Sequence, residues 1–323
     1  LRCLCVFLPA CFEIVGMLIL APKILKISVL ESAIMGCVVA AVSPAVIVPR
    51  MLNLMKNGYG TNKNIPQIIM AGASVDDVFV IVLFTIFAGI AKNGNFIPTH
   101  FLIIPTAIIF GLIAGILSGR ILSFLFYKSN IQNTNKIMII LSVCFMLITI
   151  EKFPFNSIGF SGLLAVMALS ASIKQKNQKL SIKLSETLSK LWIGAEILLF
   201  TLVGASVNIE YALKAKGSTI LLVFGALTFR FFGVFVSLIK TNLNLKEKVF
   251  ITLAYMPKAT VQAAIGGLPL AMGLDCGDIV LTVAVISIIT TAPIGATLIE
   301  ATYKKLLSKE DKNIVPSTKT KQI

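Results

Sequence analysis

Ser43-Pro44-Ala45-Val46-Ile47-Val48-Pro49 stands inside an apolar run, 29–55, long enough to cross a bilayer. Pro44 and Pro49 withdraw backbone donors in the middle of that run, so the sequence predicts a helix interrupted at membrane depth. A second run, 249–273, carries Met256-Pro257-Lys258-Ala259-Thr260 at its middle and reads the same way. Outward from each break the order of segments repeats. Ahead of the first lies an apolar segment with a central acid, Glu13; ahead of the second lies one with a central base, Arg230. Beyond the first comes 68–91, which holds Asp76-Asp77, and beyond the second comes 276–302, which holds Thr290-Thr291-Ala292-Pro293. Equivalent segments are seven places apart in the order of spans, so the two triplets have opposite orientations. Inverted triplets, each with one interrupted helix, point to secondary transport with the site between the breaks.

Composition supports a membrane setting. The chain has 323 residues, of which 57% are hydrophobic and only 13% charged, and its mean hydropathy is +0.93. A soluble fold of this size could not cover so much apolar surface. About ten apolar segments of spanning length are expected, near 3–21, 29–55, 68–91, 101–127, 137–150, 157–173, 192–208, 217–239, 249–273 and 276–302. The net charge of +15 suggests nucleic acid at first sight, but the basic residues fall between apolar segments. Alternate assignment of the connections places Arg2, Arg50, Lys56, Lys63, Lys128, Lys136, the run Lys174 to Lys190, Lys240, Lys246, Lys248 and the tail lysines on one side. The other side keeps only Lys23, Lys26, Lys92, Lys152, Lys214 and Lys216. That asymmetry predicts both ends of the chain in the cytoplasm and no nucleic-acid partner. The six cysteines, Cys3, Cys5, Cys11, Cys37, Cys144 and Cys276, show no ligand spacing, and the single histidine, His100, falls in a loop. Neither a disulfide framework nor a zinc site is expected. The segment 174–191 reads as an amphipathic helix on the cytoplasmic surface, with Leu180, Leu184, Leu188 and Leu191 towards lipid.

Five ionisable residues are left at membrane depth in the triplets: Glu13, Asp76, Asp77, Arg230 and Lys258. Charge is costly there, so each is a functional candidate. Three acids against two bases leave one negative charge, enough for one monovalent cation or one proton but not for both together. Asp76 and Asp77 are about 100° apart around a helix, so one can face a cation while the other faces a fixed base. Close carboxylates in a low dielectric titrate as a coupled set. Arg230 cannot release its proton and reads as a permanent counter-ion, with Glu13 across the repeat axis as its partner. Lys258 is open between two roles, anchoring an aspartate or titrating itself. Pro44, Pro49 and Pro257 free carbonyls and half-helix dipoles that can line an ion site, and Ser43, Thr260 and Gln262 can add oxygen ligands. Glu196 reads as a peripheral or subunit-contact residue, and Arg120 as a snorkelling one. Gly111, Gly115 and Gly119 recur on one face of the fourth segment and predict close helix packing.

Several stretches resemble the monovalent cation:proton antiporter superfamily, the sodium/hydrogen exchanger-like domain, and within it the NHA branch, subfamily B of solute carrier family nine. They are Ala41-Val42-Ser43-Pro44-Ala45-Val46-Ile47-Val48-Pro49, Ser74-Val75-Asp76-Asp77, Leu202-Val203-Gly204-Ala205, Pro257-Lys258-Ala259-Thr260-Val261-Gln262-Ala263-Ala264-Ile265-Gly266 and Thr291-Ala292-Pro293-Ile294-Gly295. The resemblance runs in order from about residue 5 to 302. It implies an all-α polytopic membrane protein with the inverted-repeat antiporter fold and two broken, crossing helices. Asp77 with Asp76 would bind Na⁺ and protons, Glu13 would pair with Arg230, and Lys258 would lie beside the site. A homodimer is implied, with a mobile six-helix core moving against a dimer scaffold. Family members carry two or more helices ahead of the Glu13 helix, which are missing from this sequence.

The expected organisation is 1–92 as the first half of the core, 93–136 as a linker helix, 137–216 as dimerisation scaffold including 174–191, 217–302 as the second half of the core, and 303–323 as a basic cytoplasmic tail. The leading functional expectation is exchange of Na⁺ or Li⁺ for H⁺ across the plasma membrane by alternating access, serving pH homeostasis, with no cofactor and with lipid as surroundings. K⁺/H⁺ exchange and a truncated, inactive antiporter fragment are the alternatives. An intramembrane aspartyl protease is disfavoured, because its two aspartates must converge from separate helices and adjacent ones on a single helix cannot.

Overall fold

The structure is a computed structural model that describes residues 4–93, 103–128, 132–151, 160–205 and 209–310. His100, Lys152, the side chains of Cys3, Cys5 and Glu196, and the tail beyond Glu310 lie outside the described residues. Regular structure among the described residues is helical, apart from one isolated antiparallel bridge between Tyr59 and Lys309. The helices are α1 (Leu4–Leu25), α2 (Val29–Ala40), α3 (Pro44–Lys56), α4 (Ile65–Asn93), α5 (Ile103–Lys128), α6 (Asn133–Glu151), α7 (Gly162–Lys176), α8 (Gln178–Ala205), α9 (Ile209–Ser237), α10 (Leu245–Ala254), α11 (Thr260–Ile265), α12 (Leu268–Ala271) and α13 (Gly277–Leu306). They form two compact units, one made of Leu1–Phe84 with Ser206–Ile323 and the other of Thr85–Ala205.

The first unit contains both sequence triplets. In it α1 packs along α9 and against α2, while α13 packs on α2, α3, α9, α10, α11 and α12. Glycines set the closeness of the α1–α9 contact: a Cβ at Gly16 would lie 2.8 Å from the Phe229 ring, and one at Gly233 would lie 2.9 Å from the Pro9 Cα. The interrupted helices begin alike. Ser28 and Glu31 form a capping box on α2, and Asn244 and Glu247 form one on α10. Both helices then stop in the middle of their apolar runs. Residues 41–43 are extended, as the residue before a proline prefers, and Pro44 starts α3 where its missing N–H costs nothing. Residues 256–259 likewise leave the helix before α11 begins at Thr260.

Pro49 departs from expectation. It does not break the chain, because α3 runs through it to Lys56. Its absent donor costs only the bond to the Ala45 carbonyl, one turn inside the helix.

The second unit rests on α7, which packs against α5, α6 and α8. Its core joins Leu122 and Phe126 of α5, Ile137 and Ile140 of α6, Leu169 and Ile173 of α7, and Leu180 and Leu184 of α8. The glycine row on α5 lies on the α7 backbone: Cβ atoms at Gly111, Gly115 and Gly119 would fall 2.7, 2.2 and 2.6 Å from the carbonyl oxygens of Ser161, Ala165 and Leu169. No separate surface helix covers 174–191. Asn177 accepts from the Leu180 N–H at 3.0 Å and caps α8, which then continues unbroken to Ala205. Leu180 and Leu184 turn inward onto α7 instead of outward, because they share a face with Leu188 that the core needs. Leu191 is exposed, as is Arg120.

Among the described residues, five helices are long and apolar enough to cross a membrane: Phe7–Leu25, Val29–Lys56, Ile109–Tyr127, Gly217–Ser237 and Gly277–Leu306. Phe79–Lys92, Thr134–Ile150 and Thr260–Ala271 are shorter apolar helices. The run 249–273 is divided among α10, α11 and α12.

Candidate functional site

Helices α1, α4 and α9 and the α10–α11 break bring charged side chains into one buried cluster of the first unit. Arg230 of α9 donates from Nη1 to the Glu13 Oε2 of α1 at 2.6 Å, and from Nη2 to the Asp76 Oδ2 of α4. Lys258, on the break, donates from Nζ to the same Glu13 oxygen at 2.7 Å. Of the two roles left open for Lys258, the anchoring one therefore goes to Glu13 rather than to an aspartate. Arg230 also lies 5.6 Å from the centroid of the Tyr255 ring, a cation–π contact. Glu13, Asp76, Arg230 and Lys258 are 0% exposed, and Asp77 is 8% exposed.

These distances divide the charges. Glu13 and Asp76 balance Arg230 and Lys258, and the four are joined by ion pairs. Paired charges of this kind survive burial because each has its counter-ion. Asp77 forms no ion pair among the described residues, and its Oδ1 is a buried acceptor with no hydrogen-bond partner, as is the Oδ1 of Asp76. Buried orphan acceptors are uncommon in native proteins, and a bound ion or water is one way to satisfy them. Two such oxygens on adjacent residues, one of them backed by a net charge, are oxygen donors of the hard kind that alkali cations take.

The breaks cross beside this cluster and hold each other. The Ser43 N–H donates to the Pro257 carbonyl at 2.9 Å, and the Ser43 and Thr260 hydroxyl oxygens are 3.5 Å apart. The Lys258 N–H donates to the Thr291 hydroxyl of α13 at 3.0 Å, and that hydroxyl donates to the Ser287 carbonyl at 2.7 Å. Thr291 and Tyr255 are structural supports that the sequence lists only as part of longer runs; their signal is a polar group at spanning depth next to a proline break. The carbonyls freed at the end of α2 are also accounted for. Ala40 accepts from Arg230, and Val38, Val39 and Ala41 accept from the Gln262 Nε2 at 3.2, 3.3 and 2.8 Å. Gln262 therefore acts here as a donor to backbone through its Nε2, and not as an oxygen ligand. Each of these carbonyls accepts one bond from a neighbouring side chain.

A cluster of paired charges with one unpaired carboxylate, set where two broken helices cross, defines an inverted-repeat antiporter core, and comparison with known proteins agrees. The family described as "Sodium/hydrogen exchanger, transmembrane" matches residues 2–305, and the chain belongs to it. It is 35% identical over 294 residues to sodium/hydrogen exchanger 9B2 of Xenopus tropicalis, an alignment covering 87% of this chain and 54% of that protein. It is 34% identical over 291 residues to the Homo sapiens 9B2 protein (85% and 53% covered) and 32% identical over 288 residues to Homo sapiens 9B1 (85% and 55% covered). The chain thus spans about half the length of the curated relatives it matches. In fold it is similar to the sodium proton antiporter MjNhaP1 from Methanocaldococcus jannaschii, with a TM-score of 0.81 at 16% identity, covering 94% of this chain and 78% of that one. The family and the apolar helices make this an integral membrane protein, and its fold is that of a transporter.

Proposed function

We propose that this chain exchanges Na⁺ or Li⁺ for H⁺ by alternating access, with Asp77 as the ion- and proton-binding carboxylate and Asp76 beside it. One observation carries the reading: of the five charged residues in this cluster, only Asp77 has no ion-pair partner among the described residues. A site with a single unspent negative charge takes either a cation or a proton and releases one when the other arrives, which is the elementary step of exchange. Glu13 and Arg230 form the fixed pair beneath it, and Lys258 adds a second positive charge to the same Glu13 oxygen. Ser43, Thr260 and the breaks at Pro44 and Pro257 keep the two half-helices crossed near the carboxylates. Residues 1–92 and 217–302 serve as the halves of a mobile core, with 93–136 as linker and 137–216 as scaffold of a homodimer. Both ends of the chain face the cytoplasm of a plasma-membrane protein.

The test is a pH gradient held across proteoliposomes that contain the parent chain. Adding Na⁺ or Li⁺ should collapse the gradient, and Asp77→Asn should reduce the rate to that of empty vesicles. Collapse by K⁺ alone would replace the substrate. Normal exchange by Asp77→Asn would overturn the site, and a parent chain without any exchange would overturn the function.

A further inference from the structure

We infer that Gln262 is a positioning residue that keeps Arg230 committed to Glu13 and Asp76. The inference starts from the last turn of α2. Four successive carbonyls, Val38 to Ala41, lie at the end of a helix that stops in the protein interior, where every residue from Ser32 to Ala40 is buried. A helix end leaves such carbonyls without intrahelical partners, and a buried one must find a donor elsewhere. The two N–H groups of the Gln262 amide serve three of the four, one N–H being shared between two carbonyls, and Arg230 serves the fourth. Carbonyls only accept, so the three contacts fix the side chain with its NH₂ towards α2. The Gln262 side chain is fully buried, and its Oε1 has no hydrogen-bond partner.

Arg230 already divides its donors among Glu13, Ala40 and Asp76, while its Nε is unpaired. It already bonds Ala40 at this helix end, and so it is placed to offer further donors if the amide of Gln262 is removed. Three orphaned carbonyls beside Ala40 would draw the guanidinium towards α2 and away from Asp76. Asp76 would then present a second uncompensated charge next to Asp77. On the exchange reading proposed above, such a site holds its cation more tightly and gives it up more slowly.

The substitution to make is Gln262→Met, unbranched and similar in volume but without donors. Deuterium exchange reads the geometry whether or not the chain transports. Amides of residues 38–43 should exchange at least about tenfold faster in Gln262→Met, while those of 279–291 in α13 are unchanged. In proteoliposomes the apparent KM for Na⁺ and kcat should both fall, by about threefold or more. A merely structural role predicts faster exchange throughout both segments, or fewer active molecules at an unaltered KM, and either result overturns the inference. If Gln262→Met does not fold, the parent decides: residues 38–43 should be as protected as 32–36, and exchange as fast as that of the 57–64 turn overturns the clamp. A parent chain that transports nothing counts against the proposed function, and the deuterium result alone then decides Gln262.

Discussion

The two triplets of the first unit match in shape and oppose each other in chemistry. Each opens with a packed apolar helix, α1 or α9, continues with a capped helix that stops half way, α2 or α10, and closes with a long helix, α4 or α13. Where α1 carries Glu13, α9 carries Arg230; where α4 carries two aspartates, α13 presents Thr291. The breaks differ in the same sense. The α2 end offers four carbonyl acceptors, and donors answer from Gln262 of α11 and Arg230 of α9. The repeat sets where backbone goes, and opposite side chains then turn a symmetric frame into a neutral pair of pairs with one carboxylate over. Symmetry builds the frame, and its violation gives the frame a charge.

The strongest way to break this comparison is to remove the acid that both bases share. Glu13→Gln strips Arg230 and Lys258 of their common oxygen and should cost about 3–5 kcal/mol of stability, read as thermal unfolding in detergent. Adding Lys258→Met restores charge balance and should recover part of that loss; no recovery would mean the cluster is not held by its balance. A smaller effect separates the two units. Gly115→Ala forces a methyl to within 2.2 Å of the Ala165 carbonyl and should destabilise the second unit by about 1–3 kcal/mol while cation affinity stays as in the parent. A shifted KM in that variant would show that the units are energetically coupled. The caps give the finest comparison. Glu247 is buried and also takes an ion pair from Lys63 at 2.8 Å, whereas the Ser28 and Glu31 box is exposed. Glu247→Ala should therefore cost about 2 kcal/mol and Ser28→Ala about 1 kcal/mol. Equal losses would remove the distinction between the two caps.

Much of this core is legible in the sequence, for reasons that are local. A charge at membrane depth is too costly to be incidental, so Glu13, Asp76, Asp77, Arg230 and Lys258 stand out without coordinates. A proline in mid-span marks a break, and a four-residue glycine period marks the α5–α7 contact. What stays hidden depends on three-body geometry. The helical angle separates Asp76 from Asp77 but does not say which meets Arg230. Lys258 has Glu13 and two aspartates as candidate partners in the sequence, and only the folded structure selects Glu13. Gln262 reads as an oxygen donor to a cation because an amide offers both chemistries, and the acceptors that choose its nitrogen lie more than 220 residues away. Pro49 is misleading for the opposite reason: one absent bond near a helix start is cheap, so the helix absorbs it. The lysine-rich run 174–191 looks self-contained, yet its leucines continue the face of the apolar stretch that follows, and the two fold as α8.

The ion pair at the centre of the cluster joins residues 217 positions apart in the chain. Translation therefore delivers Glu13 and then the aspartates to the membrane long before their partners exist, and the whole second unit is made in the interval. A nascent chain at that stage holds three acids with no base among them at membrane depth, a condition the bilayer disfavours. Assembly of the core is thus a late event gated by the arrival of α9. Any variant that slows insertion of Arg230 lengthens the period in which the first triplet is open to degradation, even if the finished protein is no less stable.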